Sequence, residues 1–400
     1  MLDKKLSALV RQAAPGIRDI RRHLHQNPEI RYKEFATAAF VERALRDMGL
    51  EVCRVLGTGV TALLRGRRGG KTVALRADID GLEMTEQTGL PYASTNGCMH
   101  ACGHDGHTAV LLGAAKVLAS MRDSIPGNVK FIFQPAEELG QGGRAMCQAG
   151  VLEGAEAASS NGKQPRVGAI FALHGFHDFE VGTVGVSPGV VMANCDSLFI
   201  TVHGRGGHGA HPDLAVDPVL IAARIIESLQ SIVSREIDPG SPAVISITTM
   251  NGGSTTNIIP DKVELSGTIR SLTSQVRAQL FAGIRRVATQ VARSMRGRAV
   301  VRIKDGYPAT VNDDAMTQLV RSVGIDVVGA RNVLPLRKIS LGAEDFSYYL
   351  HQVPGCYFRL GLAEPGKPCP PLHNSRFDFN DKALPVGIKM MAGIALKYLQ

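Results

Sequence analysis

The chain has 400 residues, 44% of them apolar, which is enough to bury a sizeable core in about two or three domains and excludes a disordered chain. No run of about eighteen apolar residues offers a membrane span, and the charged, amphipathic N-terminus lacks the apolar segment of a secretory leader. The net charge of +9 comes from Lys and Arg spread along the chain without interleaved aromatics, so it predicts solvated faces and no nucleic-acid or membrane partner.

Helices are expected over 3–26 and 34–49, the second stopped by Gly49. EVCRVL, VTALLRG and KTVALRAD follow as short runs. The last is mostly apolar and ends in acids, as a strand buried on both faces does. TAVLLGAAKVLASM (108–121) reads as a helix; VKFIFQP (129–135) and RVGAIFALHG (166–175) read as buried strands. The small, polar stretch 155–167 reads as a surface insertion. The seven scattered cysteines form no disulfide framework and fit a reducing, cytoplasmic setting.

After Pro188 the texture changes. CDSLFITVHG reads as a strand, and a long helix follows with Asp217-Pro218 at its first turn. AVISITTMNGG and KVELSGTIR are two more strands, SQVRAQLFAGIRRVATQVARSMRG a second helix, and AVVRIKDGYP a closing strand. That order, β-α-β-β-α-β, is a split βαβ, ferredoxin-like sandwich, so 189–304 is expected as an inserted α+β domain. A helix at 312–324, LGAEDFSYYL, GCYFRLG and a last helix at 381–399 return to the first texture. Residues 1–188 and 305–400 are therefore expected to form one α/β domain with a central, mostly parallel sheet.

The stretch MHACGHDGHT holds the densest chemistry. Cys102 and His104 flank Gly103, which lets the backbone fold so that both side chains meet one ion. A Cys–His nucleophile pair and a merely His-rich helix start are the alternatives, and Asp105 or His107 fits better as a support than as a ligand. Glu137 and Glu138 follow the strand FIFQPA, where open sheets place their ligand crevice, but they also fit two solvated acids before a helix. Adjacent side chains of an extended chain diverge, so one carboxylate can hold metal while the other faces substrate. His174, Asp78 and Asp80 end strands in the same way, and His373 sits in a Pro-bounded loop. A buried His with its hydrogen bonds met is the plain alternative for His174. Thiolate, imidazole and carboxylate together suit manganese, zinc, cobalt or nickel, with more donors than one tetrahedral ion needs. In the inserted domain GRGGHGAHPD presents His208 on a tight loop, placed to donate to an oxyanion. Asn257 and Arg270 are further candidates, Arg270 as a two-pronged carboxylate clamp. Turn chemistry for Asn257 and a strand-edge charge for Arg270 are the plainer readings.

Taken together, RRHLHQNPE, LRADIDGL, GCMHACGHDGHTAVLLGAAKVLA, FQPAEE, GRGGHGAHP, NIIPD, GTIR, GAEDFSYYL and LHNSRFDFND resemble the M20 metallopeptidase family over nearly the full length. The resemblance is to its branch of hippurate hydrolases, N-acyl-amino-acid hydrolases and auxin-conjugate hydrolases. It implies two divalent metal ions in the catalytic domain and a smaller lid domain that also makes a homodimer. Residue by residue it implies Cys102, His104, Glu138, His174 and His373 as metal ligands, Cys102 bridging, and Glu137 as general base. It further implies Asp78 as the acid supporting the metals, His208 as the lid histidine that steadies the transition state, and Asn257 and Arg270 near the substrate. The implied reaction is hydrolysis of an N-acyl amino acid. An N-acetyl-diaminopimelate deacetylase or dipeptidase-like hydrolase is the alternative, and a metal-stabilised binding module the non-enzymatic one. The long link at 155–167, Glu83 where relatives often carry Pro, and Asp213 where they often carry His depart from the pattern.

Overall fold

A computed structural model describes residues 2–154 and 165–400; most of the expected insertion at 155–167 lies outside them. The chain opens with two helices, α1 (Leu2–Gln26) and α2 (Phe35–Asp47). Strands β1 (Glu51–Val55), β2 (Gly59–Arg65) and β3 (Thr72–Asp78) follow, then α3 (His104–Ala119), β4 (Asn128–Gln134), α4 (Gly142–Gln148), β5 (Ala169–Glu180) and β6 (Val184–Gly185). The middle of the chain supplies β7 (Gly189–Met192), β8 (Asn194–His203), β9 (Gly207–His208), α5 (Pro218–Arg235), β10 (Ala243–Asn251), β11 (Ile258–Ile259), β12 (Lys262–Ser271), α6 (Ser274–Ser294) and β13 (Arg298–Tyr307). It closes with β14 (Thr310–Asn312), α7 (Asp314–Val328), β15 (Val333–Leu334), α8 (Ser347–Leu350), β16 (Gly355–Ala363) and α9 (Leu384–Leu399).

Two compact units result. One comprises Met1–Val191, Val311–Lys338 and Asp345–Gln400; the other comprises Met192–Thr310 and Ile339–Glu344. The segment 339–344 joins the second unit because the Ala193 N–H donates to the carbonyls of Ser340 (2.9 Å) and Gly342 (3.1 Å).

The first unit is built on an eight-stranded sheet in the order β1-β2-β4-β3-β5-β16-β6-β15. The four central strands, β4, β3, β5 and β16, run parallel, whereas β1, β2 and the β16–β6 pairing are antiparallel, so the sheet is mixed with a parallel heart. Every residue of β3 and β4 is buried, which is why they read as continuous apolar runs rather than alternations. Helices α1, α3 and α9 pack on one another, with Ile17, Val110, Leu111 and Ile388 inside the core. Helix α3 starts four residues earlier than the apolar pattern predicts, so His104, Asp105 and His107 lie on its first turn. Gly103 precedes it in the left-handed region (φ 85°), and a Cβ on Gly106 would sit 2.3 Å from the Phe379 ring. Both glycines are therefore required for the loop and helix to approach the C-terminal segment.

The second unit is a four-stranded antiparallel sheet in the order β10-β12-β8-β13, with α5 and α6 between strands as the β-α-β-β-α-β order requires. Strand β8 alternates buried and half-buried side chains along its whole length, and α5 and α6 seal the buried face around Ile200, Ile225, Leu229, Leu265 and Ile284. Asp217 caps α5 by accepting from the N–H groups of Val219 and Leu220, and Pro218 takes the first helical position. No described helix is long and apolar enough to cross a membrane.

Candidate metal centre

The parallel heart of the sheet puts the candidate residues at one level. Asp78 pairs in register with Gln134, and His174 pairs with Arg359. Because Arg76 pairs with Ala172, Asp78 and His174 lie the same two residues further on, at the carboxyl ends of the β3–β5 pairing. Beyond β4 the chain turns sharply through Pro135 and Ala136 into Glu137 and Glu138. From the far end of the sequence, the His373 N–H donates to the Ala101 carbonyl (2.8 Å), which brings the C-terminal loop to the thiol loop. His174 is not the end of its strand; β5 continues to Glu180, past the pairing with β3.

Hydrogen bonds settle what each imidazole can offer. His104 Nδ1–H donates to the Asp80 carbonyl oxygen (2.9 Å) and lies 3.2 Å from Asp80 Oδ1. A carbonyl only accepts, so Nδ1 carries a proton and the neutral ring would offer its lone pair on Nε2, which is buried without a hydrogen-bond partner. His174 Nδ1–H likewise donates to the Gly175 carbonyl (2.8 Å), leaving its Nε2 3.4 Å from Cys102 Sγ. His107 is different. Its Nδ1–H donates to Asp78 Oδ1 (2.6 Å) and its Nε2 accepts the Gly175 N–H (2.8 Å), so both nitrogens are used. His107 is a support, and His104 and His174 point donors at a common space.

Two triads emerge. Cys102, His104 and His174 have donor atoms within 4.8 Å of one another, and so do Cys102, Glu138 and His373. They share the thiol of Cys102 and nothing else. His373 Nε2 stands 3.3 Å from Glu138 Oε1, and Glu137 Oε2 lies 4.0 Å from His104 Nε2. Burial opposes a charge on His104, yet Asp78, Asp80 and Glu138 outweigh it and lift its pKa to about 10. The cavity is rich in carboxylates and favours positive charge at that nitrogen. Burial also opposes ionisation of Glu138, but His373 and His104 hold its pKa below the usual range. Burial and the neighbouring His107 keep His174 neutral, as a ligand must be. An orphaned buried imidazole nitrogen, two fixed tautomers and a mixed S, N, O donor set fit a pair of divalent cations.

The supporting shell contains residues that sequence reasoning left unassigned. Arg76 is fully buried; it donates to Asp78 Oδ2 (2.7 Å), Gln134 Oε1 (2.9 Å) and Asp345 Oδ1 (3.0 Å). Asp345 also accepts the Gly143 N–H at the start of α4 (2.8 Å). Asp80 accepts the Glu138 N–H (3.0 Å) in addition to facing His104, so it braces two candidate ligands at once. The signal for both acids was present in LRADIDGL and GAEDFSYYL, but spacing alone does not say which acid of a pair turns inward.

The candidates on the inserted unit divide. His208 and Asn257 are neighbours across the β9–β11 ribbon, where His208 pairs with Ile258 and the Gly209 N–H donates to the Asn257 carbonyl (2.8 Å). Arg270 lies eight residues beyond Lys262 along β12, about 26 Å at the rise of a strand, so the unit does not bring it to the ribbon.

The fold and the paired triads define a metal-dependent hydrolase with a site suited to two divalent ions. Residues 74–397 match the model of peptidase family M20/M25/M40, and the chain belongs to that family. It is 39% identical to thermostable carboxypeptidase 2 of Saccharolobus solfataricus over 99% of both chains. It is 41% identical to the N-acetyl-L-cysteine deacetylase of Bacillus subtilis over 86% of this chain and 79% of that one. The crystal structure of the Bacillus subtilis YXEP protein, a dinuclear metal-binding peptidase of family M20, superposes with a TM-score of 0.82 at 33% identity, covering 97% of this chain and 99% of that one. The protein is thus an amidohydrolase or peptidase acting on amide-bonded substrates.

Proposed function

We propose that the protein hydrolyses the amide bond of N-acyl amino acids, hippurate-like substrates among them, to a carboxylic acid and a free amino acid. The observation that carries this reading is the pair of triads sharing Cys102, with the Glu137 carboxylate 4.0 Å from His104. Cys102, His104 and His174 would hold one ion and Cys102, Glu138 and His373 the other; Asp78 and Asp80 support them. When bound, such a pair supplies Lewis acidity toward a carbonyl and lowers the pKa of water. Glu137, not spent in either triad, takes the proton of the attacking water and passes it to the leaving amine. On the inserted unit, His208 is offered as donor to the developing oxyanion with Asn257 beside it as a substrate contact; Arg270, distant from that ribbon within one unit, would join them as a substrate contact only from the other protomer of a homodimer. We assign 1–188 and 305–400 as the catalytic domain, 189–304 as lid and dimerisation domain, and a cytoplasmic homodimer as the working form. No disulfide joins the described cysteines.

The deacetylase relative supports an acyl-amine substrate. The carboxypeptidase relative favours a second reading, hydrolysis of a peptide bond next to a free carboxylate. Amine release from benzoylglycine, acetyl-amino acids and dipeptides, measured after chelation and after refilling with manganese, zinc, cobalt or nickel, separates the two. Glu137→Ala should abolish turnover by at least about 10²-fold while metal stays bound; full turnover by that variant would refute the mechanism.

A further inference from the structure

The turn that presents Glu137 is held in a conformation its sequence resists. Among the described residues six non-glycine positions have φ in the left-handed region, and Ala136, immediately before Glu137, is one of them (φ 54°). Arg31 (φ 52°) and Tyr32 (φ 62°) are two more, consecutive in the chain. An L residue reaches that region only when its surroundings enforce it. One group touches both strained turns. Glu34, fully buried, accepts the Ala136 N–H (3.0 Å) and the Tyr32 N–H (3.1 Å) on the same oxygen, Oε1. The rest of the Glu137 turn is tied off separately: the Ala136 carbonyl accepts from Gly142 (3.2 Å), the Glu137 carbonyl from Gly140 (2.6 Å), and the Glu138 N–H donates to Asp80 (3.0 Å). The Ala136 N–H is the point of this turn that depends on Glu34, the residue that precedes α2, far away in sequence.

We infer that Glu34 is a positioning residue for Glu137: by accepting the Ala136 N–H it locks the left-handed residue that aims the Glu137 carboxylate. The inference rests on the role proposed for Glu137. Without an acceptor at Glu34, Ala136 relaxes toward ordinary φ and the following side chain swings. A displacement of about 1 Å of a catalytic group costs on the order of 10²-fold in rate. The Glu138 N–H is held by Asp80 independently of Glu34, so metal stoichiometry is expected to hold.

The experiment measures kcat, KM and bound metal for Glu34→Ala, Glu34→Gln and Glu34→Ala combined with Ala136→Gly, beside Glu137→Gln. Glu34→Ala is expected to lose about 10²-fold in kcat, with KM and metal stoichiometry held. Glu34→Gln keeps a carbonyl acceptor and should stay close to the parent. Glycine at 136 adopts positive φ freely, so the double variant should regain part of the lost kcat. If Glu34→Ala does not fold, Glu34→Asp, one methylene shorter and so drawn back from the Ala136 N–H, takes its place with the same expected pattern. Parent kcat in the Ala variant (in Asp, if Ala does not fold), or a loss that follows metal content and is not recovered by Gln, overturns the inference. An active Glu137→Gln sinks the proposed base itself; an inactive one beside a fully active Glu34→Ala sinks only the positioning role.

Discussion

At the scale of single residues, the centre turns on which nitrogen each histidine leaves open. Asp80 decides this for His104 with its backbone carbonyl and adds its carboxylate at 3.2 Å. Asp80→Asn keeps the backbone contact but removes the charge beside the ring and weakens the brace on Glu138. Metal affinity, read by competition with a chromogenic chelator, should fall about 10–100-fold; unchanged affinity would show that the carbonyl alone sets the ligand. Cys102, His104, Glu138, His174 and His373 stood out in the sequence as candidate ligands through the family resemblance, because their motifs also hold other donors, His100, His107 and Glu137 among them. The supports did not. Asp78, Asp80 and Asp345 look alike in the chain, and their separate tasks arise from which way each side chain faces once β3 and α8 are in place. His107 was legible as a support, and its two satisfied nitrogens give the physical reason.

At the scale of elements, α1 and α3 are joined by charge as well as by apolar packing. Arg21, fully buried, reaches Asp105 (3.3 Å), Asp378 (2.6 Å) and Asp381 (2.8 Å). His25 sits between Asp105 (2.8 Å) and Glu86 (3.2 Å), one carboxylate on each ring nitrogen. Burial opposes its protonation, but those acids overcome it and raise its pKa to about 10. Unfolded, the same imidazole titrates near about 6.5. Its contribution to stability is therefore complete below that value and fades as pH rises to about 10. Asp105, held below its usual range by His25 and Arg21 despite its burial, contributes with the opposite sense and loses its share only in acid. The stability gap between the parent and His25→Gln, from urea titrations, should be widest near pH 6 and shrink by pH 10. A gap independent of pH would mean that the ring is held neutral. The sequence marks α1 as charged and amphipathic; that Arg21 and His25 are interior became visible only when Asp105 and Asp378, distant in sequence, converged on them.

At the scale of the molecule, the change of texture after Pro188 was legible because hydrophobic period follows architecture. Continuous runs mark strands buried on both faces, as in β3 and β4, and alternation marks strands covered on one, as in β8. The assignment of 339–344 was not legible, since a backbone pairing to Ala193 leaves no trace in composition. Each unit closes its own apolar core, and both metal triads belong to the first. Binding that favours one folded unit stabilises that unit alone, by about 2.7 kcal/mol at a hundredfold excess over Kd. Calorimetry of the chelated protein should therefore show two transitions, of which manganese or zinc raises one. Ile225→Ala, a cavity in the core of the second unit, should lower the other by about 2–5 kcal/mol, on the order of 10 °C. If metal and the Ile225 cavity move the same transition, the two cores unfold as one and their separation in the folded chain has no energetic counterpart.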